Sequence, residues 1–367
     1  MIPNVQPTIP EEDIPAILRD LREVLITRQL VLGKNLRAFE DAFRDYVGTA
    51  HAVGTSSCSQ TLQMIFQFHG VAGREVLLPT MNFISAANAA LWAGGTPAFC
   101  DTGRDAVLPT LETLRAGRTE RTAGVVLVHL TGHINPELPA IRDYCRAEGL
   151  FLVEDCSHAH GSELDGVKAG NLCDAAVFSL FATKVITTGT GGMLTTNDPR
   201  LAAYVLSARH QGQGRDLTDC STIGGGWHLT EMGAVLGRYQ LGHLEEWVVR
   251  RGELAREYDR AFAKHPRCRP VRPVGRSAYY KYQLLLSPEV DRQRLIRHLA
   301  ERGVQCGAVY DPPIHLQPVY RKKFGYREGM YPNAEDVARR VIALPMFVEL
   351  TATEQATVIE AVLEALA

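Results

Sequence analysis

Residues 150–184 read LFLVEDCSHAHGSELDGVKAGNLCDAAVFSLFATK, and the fold follows from this stretch. It contains two short apolar runs, LFLVED (150–155) and AAVFSLF (175–181). Both are apolar on successive residues, the pattern of strands covered by helices on either face. Working outward, similar runs occur at REVLLPT (74–80), TPAFCD (96–101) and AGVVLVHL (123–130). Between them lie helical patterns such as SQTLQMIFQFHG (59–70) and LPAIRDYCRAEG (138–149), each stopped by a glycine. This βα rhythm from about 50 to 200 implies an α/β fold with a mostly parallel sheet.

After about 250 the pattern changes. ELAREYDRAFAKH predicts an amphipathic helix, YYKYQLLL (279–286) a strand and RQRLIRHLAERG another helix. A Pro-rich loop, YDPPIHLQPVY, and a terminal helix pair follow. The expected division is a large domain over residues 1–250 and a smaller α+β domain over 251–367, with the first 30 or so residues lying across or beside the small one. There is no internal repeat or low-complexity tract.

The chain has 367 residues, 46% hydrophobic and 22% charged, with a formal net charge of −2. That balance is ordinary for a globular protein and gives no general attraction to nucleic acid or anionic membranes. The start, MIPNVQPTIPEEDIPAILRD, lacks the basic and apolar regions of a signal peptide. No window reaches the roughly 20 apolar residues of a membrane span. The cysteines are scattered without a CxxC, so they read as small buried hydrophobes in a cytoplasmic protein.

Ligands in open α/β sheets sit beyond the carboxyl ends of the strands. LFLVED delivers Asp155 there, and AAVFSLFATK delivers Ser179 and Lys184. Alone, the acid reads more readily as a helix cap and the lysine as a solvated side chain. Together they match what pyridoxal phosphate requires. A carboxylate keeps the pyridine nitrogen protonated, and an amine binds the cofactor covalently and then moves a proton. The cofactor's phosphate needs an anchor, and TSSCSQTLQ places Ser57, Cys58 and Ser59 at a helix start, where free N–H groups favour an anion. The other reading of Ser57 is an ordinary N-cap. Ser179, Thr187 and Thr188 offer further hydroxyls. TTGTGG (187–192) lacks dinucleotide-loop spacing and reads as a turn into the strand MLTT.

Residues 153–198, VEDCSHAHGSELDGVKAGNLCDAAVFSLFATKVITTGTGGMLTTND, resemble the central block of the DegT/DnrJ/EryC1/StrS sugar aminotransferases. VGTSSCSQTL (53–62), EVLLPTMNFISAANAALWAGGTPAFCD (75–101) and VYDPPIHLQPVYRKKFG (309–325), with the later PNAEDVARRVIALPMF, extend the resemblance over most of 30–367. It implies the aspartate-aminotransferase-like fold (fold type I), built on a seven-stranded mixed sheet. It also implies pyridoxal phosphate as cofactor, with pyridoxamine phosphate as its intermediate form, and a homodimer with active sites at the interface. By the same resemblance Lys184 is the Schiff-base lysine and Asp155 the pyridinium partner. His158 lies near the ring and its phenolic oxygen, Phe83 stacks on the cofactor, and Ser57, Cys58, Ser59 and Ser179 cradle the phosphate. The implied reaction is ping-pong transfer of an amino group from L-glutamate or L-glutamine to a keto sugar, often nucleotide-linked, or a keto cyclitol.

The chain departs from the family at three places. Ser57-Cys58-Ser59 stands where a serine-glycine-threonine sequence is usual, and Thr190 where a glutamate is. The family's Gly-x-Asn-x-Arg loop falls at GGGWHLTE (224–231), with Gly226 and His228 in the asparagine and arginine positions. The missing asparagine puts a cross-subunit phosphate contact in doubt, for which His228, Trp227 or His210 is a possible substitute. His315, in the loop near the active-site mouth, is expected to touch either substrate or a partner subunit, and His228 is a candidate substrate contact. His129 and His133 follow a strand and face either substrate or the protein interior. His158, His160, Cys156 and Cys173 have no zinc spacing, so no metal is expected. Two rival readings remain, a sugar dehydratase of the same family, whose members carry histidine in place of the lysine, and a non-catalytic, cofactor-binding regulator.

Overall fold

The computed structural model describes residues 1–214 and 219–367. In chain order the elements are α1 (Ile14–Thr27), α2 (Lys34–Val47), β1 (His51–Thr55), α3 (Cys58–Phe68), β2 (Glu75–Pro79), α4 (Ser85–Trp92), β3 (Thr96–Cys100), α5 (Leu111–Gly117) and β4 (Thr122–Val128). Then come α6 (Leu138–Ala147), β5 (Phe151–Asp155), a hairpin of β6 (Glu163–Leu164) and β7 (Val167–Lys168), β8 (Ala175–Ser179), β9 (Gly192–Thr196) and α7 (Pro199–Ala208). The chain finishes with α8 (Glu231–Phe262), β10 (Cys268–Pro270), β11 (Tyr282–Leu286), α9 (Arg292–Glu301), α10 (Pro318–Phe324), α11 (Pro332–Arg340), β12 (Val341–Leu344) and α12 (Ala352–Leu366).

Seven strands form one sheet in the order β1-β9-β8-β5-β4-β2-β3. Pairing is parallel from β8 through β5, β4 and β2 to β3, and β9 runs antiparallel to both β8 and β1. This is the mixed sheet expected from the family resemblance. β2, β4 and β5 are buried at every position, which explains their unbroken apolar sequences. Separate apolar clusters fill the two faces of the sheet, a third lies under the three-stranded antiparallel sheet β10-β11-β12, and helices cover all three.

Two elements differ from the sequence expectation. The helix expected from residue 253 begins at Glu231 and runs unbroken for 32 residues. The expected terminal helix pair is interrupted by β12, a four-residue strand paired with β11. Ile2 pairs with Val304 and Asn4 bonds Ala343, while α1 packs along α8.

Helix α8 joins the two sheets, and three of its polar side chains act as fasteners. Glu231 accepts from the backbone N–H groups of Gly33, Asn35 and Leu36, and so caps α2, which has no cap of its own. Gln240 accepts from Thr187 N–H at 3.2 Å and donates to the Thr8 carbonyl at 2.7 Å. Arg251 is buried and donates from Nη1 to the carbonyls of Tyr279 and Met346, both at 3.1 Å.

Candidate active site

A cavity of about 380 Å³ opens at the carboxyl ends of β5 and β8, beside the start of α3. Strand geometry brings Asp155 and Ser179 to this edge, and the turn after β8 carries Lys184 over it. Ser57 is the N-cap of α3, so the first free N–H groups of that helix point at the same space. Gly192, the first residue of β9, allows this approach. A side chain there would come within 2.4 Å of the Ser57 carbonyl carbon.

The Lys184 amine makes no hydrogen bond or ion pair among the described residues; it lies 4.8 Å from the centroid of the Tyr280 ring. Burial pushes its pKa down to about 8, against an upward pull from Asp155. Asp155 is buried, and one carboxylate oxygen accepts from Ser157 N–H at 3.0 Å. The Cys58 thiol is held 3.3 Å from the Ser157 hydroxyl, and burial raises its pKa, so it stays a thiol. Ser59, Thr190 and Gly191 complete this end of the cavity. At the mouth Phe83 and Phe181 are 54% and 53% exposed.

The opposite wall is aromatic. His158 stacks on Tyr280 with ring centroids 4.3 Å apart, and Tyr310 lies 5.6 Å from Phe83. Burial and the neighbouring Lys184 charge hold His158 well below the ordinary histidine pKa, so it is neutral. Tyr280, Tyr310, Asn82, Ser85 and Thr183 were not singled out from the sequence. The only sequence sign of the first two was the tyrosine-rich YYKY before a strand and the tyrosine opening the DPP loop.

Ser57, Cys58, Ser59, Phe83, Asp155, His158, Ser179 and Lys184 thus line one cavity. His315 does not join them, which corrects the expectation of substrate contact. It is fully buried, its Nδ1 is 2.7 Å from the Thr80 hydroxyl and its Nε2 is 3.0 Å from Glu335. Both ring nitrogens are used, so it buttresses the end of β2. His228 also lies off the cavity wall. It bridges to Thr55, and its Nε2 is 2.8 Å from His210 Nδ1. His129 is buried with Nε2 2.9 Å from Glu154, and His133 is buried against Ser277. His129, Glu154 and Cys156 are grouped closely enough to suggest a metal site. However, Glu154 also accepts from the backbone N–H groups of Gly170, Leu172 and Cys173, which accounts for its burial as a structural carboxylate.

The sequence pattern of the DegT/DnrJ/EryC1/StrS aminotransferase family matches residues 11–363. The chain belongs to this family. Among its relatives is the dTDP-4-dehydro-2,3,6-trideoxy-D-glucose 4-aminotransferase of Saccharopolyspora spinosa, 33% identical, with 98% of this chain and 95% of the relative covered. The aminotransferase TlmJ from Streptoalloteichus hindustanus superposes with a TM-score of 0.92 at 33% identity, covering 100% of this chain and 99% of that one. DesV of S. venezuelae, solved in complex with a ketimine intermediate, superposes with a TM-score of 0.91 at 30% identity, covering 98% and 99%.

This DegT-family chain is therefore an aminotransferase that uses pyridoxal phosphate. The side chains present fit that cofactor. A half-buried amine with no partner among the described residues, a buried carboxylate and a hydroxyl-lined helix start face one cavity. When bound, the cofactor supplies an electron sink that loosens bonds to the carbon carrying the amino group. Lys184 would hold it covalently, Asp155 its ring nitrogen, and Ser57, Ser59 and Ser179 its phosphate.

The lowered pKa of Lys184 makes a prediction about loading. Only the neutral amine attacks the cofactor's aldehyde. At a pKa of about 8, roughly a tenth of it is neutral at pH 7, against less than ~0.1% for an ordinary lysine. Cofactor capture by cofactor-free protein is expected to speed up about tenfold per pH unit below 8 and level off above it. Stopped-flow absorbance measures this; a rate still climbing at pH 10 contradicts it.

Proposed function

We propose that this aminotransferase moves an amino group from L-glutamate or L-glutamine to the carbonyl carbon of a keto sugar or keto cyclitol. The reading is carried by one observation, that the Lys184 amine and the Asp155 carboxylate face one cavity and the amine has no ion-pair partner among the described residues. The cavity's hydroxyl and aromatic lining suits a polyhydroxylated ring, with aromatic faces against its C–H groups and hydroxyls for its own. Acceptor choice is expected to lie in the loops at 210–230 and 309–320, the first of which includes residues 215–218, outside the described residues.

The test is an absorption spectrum of purified protein before and after adding donor. A band near ~410–430 nm marks cofactor joined to lysine, and a shift to ~330 nm marks uptake of the amino group. A band that neither donor moves favours the regulator reading. No band after adding cofactor removes the assignment of Lys184.

The proposal includes a homodimer with the cavity mouth at its interface. It is supported by the half-exposed Phe83 and Phe181 at the mouth and by the outward-facing Leu18, Leu25 and Ile26 of α1. A monomer in sedimentation equilibrium would refute it. It also includes the division into residues 1–250 and 251–367, with α8 shared between the two parts, and a cytoplasmic location, which suits the free cysteines. No helix among the described residues is long and apolar enough to cross a membrane.

A further inference from the structure

The cavity contains a hydroxyl whose orientation is fixed from behind. Thr131, just after β4, has a φ of +58°, a left-handed conformation that is rare for a β-branched residue. Its side chain helps hold it there through bonds to the Leu130 carbonyl and Gln283. In this conformation the Thr131 N–H donates to His158 Nδ1 at 3.2 Å. A nitrogen that accepts carries no proton, so the neutral His158 ring has its proton on Nε2. Nε2 lies 3.3 Å from the Tyr310 hydroxyl, and the ring stacks on Tyr280.

The Tyr310 oxygen therefore accepts from His158, and its own proton is left to donate. That hydroxyl makes no other hydrogen bond among the described residues, and Tyr310 lines the cavity. Burial raises its pKa, so it stays protonated. The site thus holds a neutral O–H donor, polarised by the bond it accepts, with no acceptor among the described residues. A donor left in this state suits a ligand oxygen that gains negative charge during the reaction.

We infer that Tyr310 donates a hydrogen bond to the carbonyl oxygen of the keto partner, and that His158 positions it. The inference rests on the amino-transfer reading above. When an amine nitrogen adds to a keto carbon, the C=O electron pair moves onto oxygen; the two N–H protons then follow to that oxygen, which leaves as water as the C=N bond forms. The Tyr310 O–H stabilises that charge while keeping its proton. The same oxygen site serves both half-reactions, because the keto acid formed from the donor gains its oxygen where the acceptor loses its own. Loss of the donor's Cα proton comes before any oxygen is bonded to that carbon, so this step does not use Tyr310.

The experiment separates these steps in Tyr310→Phe. Donor is incubated in D2O, and loss of its Cα–H signal is followed by NMR alongside keto acid release and acceptor amination. We expect exchange within about threefold of the unsubstituted protein and transfer slowed about 10²-fold, the loss typical of one such donor. Cofactor affinity, read by absorbance titration, is expected to stay within about twofold. Equal slowing of exchange and transfer, or unchanged transfer, overturns the inference. Absence of exchange in the unsubstituted protein with any donor overturns the amino-transfer reading itself. A readout independent of turnover is the ¹⁵N spectrum of the histidines. We expect His158 protonated at Nε2 and bare at Nδ1 from pH 6 to 9, and the opposite tautomer contradicts the chain of bonds.

Discussion

Lys184→Ala is expected to lower turnover by at least about 10⁴-fold, the upper end of what a positioned acid–base group contributes. The size of the effect follows from the two tasks of one amine. Lys184 is the only amine among the described cavity-lining residues, and Lys281, which also lies over the Tyr280 ring, is bonded to Asn4. Once displaced from that link by the incoming amino group, it is also the base best placed to move a proton. Its depressed pKa leaves an appreciable neutral fraction near pH 7 for that task. The variant should still take up cofactor through the remaining groups but lack the visible band of the lysine-linked form. A small primary amine added to the buffer should restore part of the proton-transfer rate. Steady-state turnover within tenfold of the unsubstituted protein would remove Lys184 from the mechanism.

Asp155→Ala is expected to have the second-largest effect, a loss of roughly 10²–10³-fold in the donor half-reaction, in line with removal of a preorganised electrostatic partner. Asp155 is buried at the end of β5, and Ser157 N–H takes one of its oxygens. The other oxygen makes no bond among the described residues and would be the one to hold a protonated ring nitrogen. Without the carboxylate that nitrogen loses its proton, and the ring becomes a weaker electron sink. Single-turnover absorbance with donor measures the rate, and the ¹⁵N shift of labelled cofactor reports the proton directly. A variant that keeps both the rate and the protonated shift would show that Asp155 is only structural.

The residues of the cavity were not equally legible in the sequence. Asp155 and Lys184 were, because strands buried on both faces give unbroken apolar runs, and Asp155 ends one such run while Lys184 closely follows another, which puts both near the sheet edge. Ser57 was legible because helix starts favour its residue type. Tyr280 and Tyr310 were not, since a tyrosine beside a strand or in a Pro-rich loop reads as core packing until another element brings a ring against it. His315 was misread for a related reason. Its partners, Thr80 and Glu335, lie 235 and 20 residues away, and only tertiary structure shows that both its nitrogens are already used. The start of α8 escaped because it is buried on several sides and so lacks a single apolar stripe. β12 escaped because four apolar residues between helices read equally well as a helix end.

The helix with those fasteners has a mechanical consequence. The Lys184 side of the cavity hangs from the large sheet, whereas Tyr280 follows directly on Tyr279, whose carbonyl is held by Arg251 of α8. The lysine's own loop is tied to the same helix by the Gln240 bond to Thr187. The two tie points are about three helical turns apart. The span between amine and aromatic wall is therefore set by the pitch of one rigid rod, much as a gauge block sets a gap. Swinging the small sheet outward would strip Arg251 of its carbonyls and strand a buried guanidinium, at a cost of several kcal/mol. The gap behind the mouth is thus expected to keep its width, leaving admission of a sugar ring to the side chains at the mouth, Phe83 and Phe181 foremost.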